Sequence, residues 1–232
     1  LPIESDPEFM GLYKDIDNPG IRQHHGNITQ LDHAFGMLLR ELDEQKLTED
    51  TFVMFTSDNG PEGSGKGNKN LNSQNNRNWG STGGLRGRKR DTYEGGIRVP
   101  LVVKWPGKVK PGSKSDLVTG LEDWMATILD LIDAENLLPD DRDGISIAPT
   151  LLGKKQTKRS FLYREFSGYG GQQAVWQGKW KGIRQKMLRK GKNHDPLKIE
   201  LYDLEEDVSE SNDLASKNPE VVKRLKKLME EQ

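Results

Sequence analysis

The chain has no cysteine among its 232 residues. Disulfides, thiolate metal sites and a cysteine nucleophile are therefore excluded within it. It also has no long hydrophobic run: none approaches the ~18–20 apolar residues that a transmembrane helix needs. An excess of one charge is missing too. Lys plus Arg is 35 and Asp plus Glu is 36, a net charge of −1. That balance argues against a protein built mainly to hold nucleic acid or an anionic membrane surface, while leaving room for a local anion pocket. Hydrophobic residues are scarce at 32%, and mean hydropathy is −0.82. The apolar residues nevertheless fall in compact periodic runs, which points to a globular protein with long polar loops rather than a disordered chain. The opening Leu1-Pro2-Ile3-Glu4 has neither an initiator methionine nor signal-peptide character. The expectation is a chain cut from something longer.

Residues 1–20 are punctuated by Pro and Gly and read as loop. From His24 to about Gln45, Ile28, Leu31, Phe35, Leu38, Leu39 and Leu42 recur at helical spacing and predict an amphipathic helix. Residues 51–56, Thr-Phe-Val-Met-Phe-Thr, form a near-continuous apolar and β-branched run, which predicts a strand buried on both faces as in a parallel sheet. Residues 61–84 are rich in Gly, Asn, Ser and Lys and offer almost nothing to bury; a loop so long is usually functional or disordered. A second short strand follows at 101–105, and a second amphipathic helix at 121–133. Helix, strand, loop, strand, helix is an α/β pattern, with ligands expected at strand C-terminal ends. After about Gly153 the character changes. Short strand-like pieces at 161–163, 173–176, 180–183 and 199–202 are separated by glycine turns, with a hairpin expected at Gly178-Lys179. A helix is expected over 219–231, with Val221, Val222, Leu225 and Leu228 on one face. The division is thus 1–153 as the larger α/β part and 154–232 as a small α+β subdomain.

Two segments carry chemistry. Asp58-Asn59-Gly60 closes the apolar run, so a carboxylate and an amide oxygen stand at a strand end. Those donors suit a hard cation such as Ca²⁺ or Mg²⁺, although the same three residues also make an ordinary turn. The second segment, residues 84–100, places Arg86, Arg88, Lys89 and Arg90 within five positions between glycines. Such a cluster can set ammonium and guanidinium groups on a tetrahedral oxyanion, or can be a solvated charged loop.

At these residues the chain resembles the sulfatases of the alkaline-phosphatase superfamily. Residues 51–59 resemble the sulfatase strand ending in Ser-Asp-Asn-Gly. Residues 85–100 resemble the signature Leu-Arg-Gly-x-Lys-x-x-x-Tyr-Glu-Gly-Gly-x-Arg-x-Pro. The order and spacing of the two agree with the family. Asp143-Gly144-Ile145-Ser146, Gly178-Lys179-Trp180-Lys181 and Glu200-Leu201-Tyr202-Asp203-Leu204 with Asn212-Asp213-Leu214 extend the likeness over essentially the whole chain. The implied fold is part of an alkaline-phosphatase-like mixed α/β sheet flanked by helices. A small C-terminal α+β subdomain follows, with a short antiparallel sheet and a terminal helix.

The resemblance implies that Asp58 and Asn59 are two of the ligands of an active-site calcium, Ca²⁺ rather than Mg²⁺, and that Lys89 binds a sulfate oxygen. Glu94 is expected to order the loop rather than to react. Many family members have a small residue where Arg88 stands; a shift of one residue would bring an arginine, not Lys89, to the sulfate. The family's nucleophile is a formylglycine made from Cys/Ser-x-Pro-x-Arg, and no such motif is present. The nearest string, Ser5-Asp6-Pro7-Glu8-Phe9, has Phe where Arg is needed and reads as loop. Formylglycine and the remaining calcium ligands are expected in a missing N-terminal half, which would be the chain's partner. The 232 residues alone are expected to be inactive. The four histidines, His24, His25, His33 and His194, read as structural or surface groups. The parent substrate is expected to be a sulfate ester, a sulfated carbohydrate or aryl sulfate. Arg86, Arg88 and Trp79 are the candidate substrate contacts, and Tyr169, Trp176 and Arg164 flank the same region. Location by family is periplasmic, extracellular or lysosomal. Competing readings are a phosphodiesterase or phosphonate hydrolase of the same superfamily, and a non-catalytic glycan-binding or remnant protein.

Overall fold

The computed structural model describes residues 4–62, 80–188 and 195–232. Asp6 opens the first helix, α1 (Pro7–Gly11): its carboxylate accepts from the Glu8 amide, and Pro7 stands where no donor is needed. The same device starts α2 (Pro19–Glu44), where Asn18 accepts from the amides of Gly20 and Ile21. Residues 1–20 are therefore not all loop, and the string at Ser5–Phe9 is a helix start. The long helix begins five residues earlier than its apolar spacing suggests, because a cap rather than an apolar residue sets its first turn.

β1 (Val53–Thr56) pairs with β2 (Leu101–Lys104) antiparallel, in the register Val53 to Lys104. The expectation of a parallel strand buried on both faces is corrected here. β1 is half-buried along its length, and β2 is mostly exposed. A short apolar run reports burial, and it carries no information on strand direction. Aromatic contacts hold the neighbouring elements to β1: Phe35 of α2 lies 5.1 Å from Phe55, and Phe52 lies 6.1 Å from Trp124. Between the two strands runs a single helical turn, α3 (Glu94–Ile97).

Trp124 belongs to α4 (Asp123–Leu131), whose first residue organises its surroundings. The Asp123 side chain is fully buried. It accepts from the amides of Gly120 and Ile145, each at 2.9 Å, and pairs with Arg159. Thr127 relays the order, accepting from the amide of Ile147 next to α5 (Ala148–Leu151). Asp123→Ala would orphan two half-buried amides and the Arg159 guanidinium. It is expected to lower stability by about 2–4 kcal/mol in urea unfolding.

The C-terminal region is a four-stranded antiparallel sheet in sequence order: β3 (Leu162–Phe166), β4 (Gln172–Gln177), β5 (Trp180–Gln185) and β6 (Glu200–Asp203). The expected hairpin is present. Gln177 faces Trp180 across a two-residue turn, and Gly178 takes φ +59°, a conformation that favours glycine. The sheet has two different faces. Val175, Leu201 and Tyr163 meet Leu225 and Met229 of the terminal helix α6 (Pro219–Glu230). Leu162, Ala174, Trp176, Ile183 and Tyr202 on the other face meet Tyr93 and Ile97. The sheet is therefore sandwiched between α6 and the glycine-flanked basic segment, 85–100, which the sequence singled out.

Candidate active site

β1 delivers Ser57-Asp58-Asn59-Gly60 to one end of its two-stranded sheet. The exposed Asp58 carboxylate accepts from the Asn59 amide at 2.9 Å, which closes the turn. The Asn59 side chain donates its Nδ2 to the Gly60 carbonyl at 2.9 Å. The strand end is therefore a turn that carries two oxygen-bearing side chains.

The segment 85–100 docks onto this turn through its backbone. Gly60 N–H donates to the Gly96 carbonyl at 2.8 Å, and Lys89 N–H donates to the Pro61 carbonyl at 2.9 Å. Lys89 is thereby held two residues beyond Asn59. The glycines make such closeness possible. A Cβ on Gly60 would lie 2.0 Å from the Gly95 oxygen, and one on Gly96 would lie 2.1 Å from the Asp91 oxygen. Within the segment, Gly95 N–H donates to the Arg86 carbonyl at 2.6 Å, curling the basic stretch around α3. Arg90 completes the curl at φ +77°, an uncommon conformation for a side-chain-bearing residue, and pairs with Glu62.

The rear of the segment is anchored in the C-terminal sheet by buried polar groups. Lys181 of β5 is fully buried, 2.9 Å from a Glu94 oxygen and 2.6 Å from a Glu210 oxygen. Glu94 also accepts from Arg98 at 2.6 Å and from the Trp176 indole at 3.3 Å. Its own amide donates to Glu210 at 2.7 Å. Burial pushes the Glu94 carboxyl up, but Lys181 and Arg98 together outweigh it and hold the group below the ordinary glutamate range. At Glu210 burial wins over Lys181 and, helped by the Glu94 charge, raises the carboxyl. One ammonium between two buried carboxylates favours this division. Gln172 adds a neutral tie: its side chain accepts from the Thr92 amide and donates to the Arg90 carbonyl.

Arg86, a candidate substrate contact, is engaged by its own chain. Its guanidinium lies 3.9 Å over the Tyr93 ring, donates to the Tyr202 hydroxyl at 2.6 Å and the Glu210 carbonyl at 3.1 Å, and faces Glu200 at 3.5 Å. Both tyrosine hydroxyls donate to Glu200. Burial and that carboxylate raise the Tyr93 and Tyr202 phenols well above their usual value, so both remain neutral donors. Arg88 is exposed, and Lys89 is half-buried. Trp79 and His194 lie outside the described residues. Trp176 lies in the core, and Arg164 pairs with Glu122. His25 stacks on Tyr13 and His33 contacts Phe9 where α1 meets α2. Among the described residues no three His, Asp or Glu side chains gather as a metal site. Asp58 and Asn59 are a chemically fitting but partial donor set for an ion that takes six or more oxygens.

The sulfatase family model matches residues 2–134, which include the bend at Asp58-Asn59 and the glycine-built segment joined to it, and the chain belongs to that family. A second family model, described as N-sulphoglucosamine sulphohydrolase, C-terminal, matches residues 87–232 and so begins inside that segment. The chain is similar to N-acetylgalactosamine-6-O-sulfatase of Bacteroides thetaiotaomicron: 33% identical, over 99% of this chain and 44% of the relative. It is 32% identical to human arylsulfatase A, over 96% of this chain and 45% of that protein. A solved structure concerned with the metabolism of glycosaminoglycans by Bacteroides thetaiotaomicron superimposes with a TM-score of 0.74 at 31% identity, over 97% of this chain and 46% of that one. The chain thus spans less than half the length of each relative.

Sequence reasoning missed Lys181, Glu210 and Gln172. For Lys181 a signal was present: it alternates with Ile183 on the core face of a strand, and a charge there needs a buried partner.

Proposed function

We propose that this chain is the C-terminal portion of a formylglycine-dependent sulfuric ester hydrolase. Its part is to hold calcium oxygen ligands at Asp58 and Asn59 and a sulfate oxygen at Lys89. The observation that carries the reading is the pair of backbone bonds from Gly60 to Gly96 and from Lys89 to Pro61, which fix the oxygen pair and the lysine in one unit. A calcium ion there would neutralise charge developing on the sulfate oxygens. Asp58 and Asn59 would hold that ion, and the Lys89 backbone, held at Pro61, sets the point from which its ammonium reaches the sulfate. The substrate is a sulfated carbohydrate or aryl sulfate, a choice supported by the names of the relatives.

The partner is an N-terminal half that carries the nucleophile. Large apolar side chains left exposed on α2, β2 and α4 support this: Leu31 is 57% exposed, Val102 61% and Ile128 47%. The division near residue 153 separates the part that meets this half from the sheet that braces the site. The family carries an extracytoplasmic location, periplasmic, extracellular or lysosomal, as its expectation.

The test is the coding DNA immediately upstream of Leu1. An in-frame Cys/Ser-x-Pro-x-Arg motif is expected, and a stop codon directly before Leu1 would overturn the reading. In the enzyme with both halves, Lys89→Ala is expected to lower kcat/KM for an aryl sulfate by about 10²–10³. Arg88→Ala should change it by less than about tenfold, since that side chain is exposed. The opposite ranking would show that an arginine, not Lys89, meets the sulfate.

A further inference from the structure

The sulfate-binding assignment leaves unexplained why the sheet carries a lysine with no exposed surface. Lys181 is far from the strand end in sequence, yet its contacts lead there in a few steps. Its ammonium holds Glu94, the first residue of α3. The next residue, Gly95, bonds the Arg86 carbonyl, and Gly96 accepts the Gly60 amide beside Asn59. From Gly60 the chain passes to Pro61, whose carbonyl accepts the Lys89 amide. Each link is a backbone or buried contact, and the glycine packing leaves no slack between them. Glu210 closes the arrangement from the other side, holding Lys181 with one oxygen and the Glu94 amide with the other.

We infer that Lys181, bracketed by Glu94 and Glu210, is a positioning residue. It sets the segment 85–100 in register against the Asp58–Asn59 turn and so fixes where Lys89 presents its charge. The inference rests on the sulfatase reading for its catalytic meaning, but its structural half stands independently. A packing role alone would be met by any residue of similar bulk. A positioning role through charge would not, because Lys181→Met leaves two buried carboxylates facing each other directly behind α3. Removing one of those charges as well should then restore the register.

The experiment is amide hydrogen exchange on the full 232-residue chain, comparing wild type, Lys181→Met and Lys181→Met/Glu210→Gln. The single variant is expected to exchange about tenfold or more faster at Gly60, Lys89 and Gly95, with smaller changes at the β3–β4 amides. The double variant should recover most of that change, because Glu210→Gln keeps a side-chain oxygen that accepts from the Glu94 amide. Unchanged exchange at Gly60 and Lys89 would overturn the inference. So would equal acceleration throughout the chain, or a double variant no better than the single one. If Lys181→Met does not fold, the double variant and Lys181→Arg carry the comparison: Lys181→Arg keeps the charge and should protect Gly60 and Lys89 better than the double variant does, and the reverse order would overturn the inference.

The catalytic half is read in the enzyme with both halves, on an aryl sulfate. Lys181→Met is expected to lower kcat/KM by about tenfold to a hundredfold, with Glu210→Gln in the same chain recovering part of the loss. Hydrolysis by wild type with no loss in the variant would overturn the positioning role. Absence of hydrolysis by wild type would overturn the sulfatase reading and the catalytic role with it, while the exchange result would still decide the structural link.

Discussion

Gly60→Ala is expected to cost about 3 kcal/mol or more and to undo the site. Overpacking a filled interior ordinarily costs about 1–3 kcal/mol, because some neighbour can shift. At Gly60 the neighbours are backbone. A new Cβ would meet the Gly95 oxygen at 2.0 Å, the Gly95 carbonyl carbon at 3.0 Å and the Gly96 Cα at 3.1 Å. None of these can rotate away. Gly95 is itself enclosed by the carbonyl oxygens of Arg86, Gly87 and Leu85, all within 2.9 Å of where its own Cβ would lie. The two loops must therefore separate, breaking the Gly60 to Gly96 bond and releasing Lys89 from Pro61. Gly11→Ala is the control: nothing lies within 4 Å of its Cβ position, at the end of α1. It should be neutral or stabilising by less than about 1 kcal/mol. Urea unfolding of the two variants decides the matter. A Gly60→Ala midpoint close to wild type would mean that the turn and the segment are not packed as described.

That close approach also shows where the sequence was informative. The apolar spacing of Ile28, Leu31, Phe35 and Leu39 marks α2, and Gly178-Lys179 between two apolar pieces marks the β4–β5 hairpin. Asp58-Asn59 at the end of a strand is legible because only local residue types are involved. The same holds for the glycines at 95 and 96, whose pairing implies a tight approach without naming the partner. What sequence does not disclose is contact across distance. Lys181 and Glu94 are separated by 87 positions, and no periodicity links them. Arg86 illustrates the same gap. Read alone it is a cation in a basic cluster, suited to an oxyanion. Its actual environment is set by Tyr93, Tyr202 and Glu200, which arrive from elsewhere in the chain.

The direction of β1 was illegible for a related reason. Residues 51–56 are apolar enough for a strand buried on both faces, yet the described part of the chain pairs them with a single antiparallel neighbour and leaves them half-buried. Those residues carry more apolar character than this one pairing buries, in a chain that covers 44% of its Bacteroides thetaiotaomicron relative. Composition registers what a segment is built to bury. The fold of this chain shows only the part of that burial which the chain itself supplies.

Removing the carboxylate at Glu94 should have the other large effect, and its pH dependence identifies the cause. Glu94→Ala deprives Lys181 of one of its two buried partners, Arg98 of its carboxylate and the Trp176 indole of its acceptor. Breaking a buried pair by removing one member costs about 3–5 kcal/mol, because the remaining charge stays desolvated. Glu210 still neutralises Lys181 at 2.6 Å, so the loss should fall near about 3 kcal/mol at neutral pH. Glu94→Gln keeps an acceptor for the indole and should lose less. The sign with pH follows from the opposed shifts. Burial raises Glu94, but Lys181 and then Arg98 lower it past the ordinary value of 4.5. Its contribution is therefore full above that value and disappears as pH falls through the lower, folded one. Glu210 is raised, first by burial, against Lys181 and with the Glu94 charge adding to the rise. A raised carboxyl acts in the opposite sense: the folded state keeps its proton longer, so this group favours folding below 4.5 and less so as pH climbs. Loss of Glu94 removes the first effect, which widens the gap as pH rises; it also weakens the second, which works the other way and trims the gap at neutral pH without reversing it, because Glu94 is only one contributor to the Glu210 rise. The stability gap between wild type and Glu94→Ala should thus be widest near roughly pH 7 and shrink toward roughly pH 3. A gap that stays constant over that range would mean that Glu94 acts through its shape and its hydrogen bonds, with its charge contributing nothing.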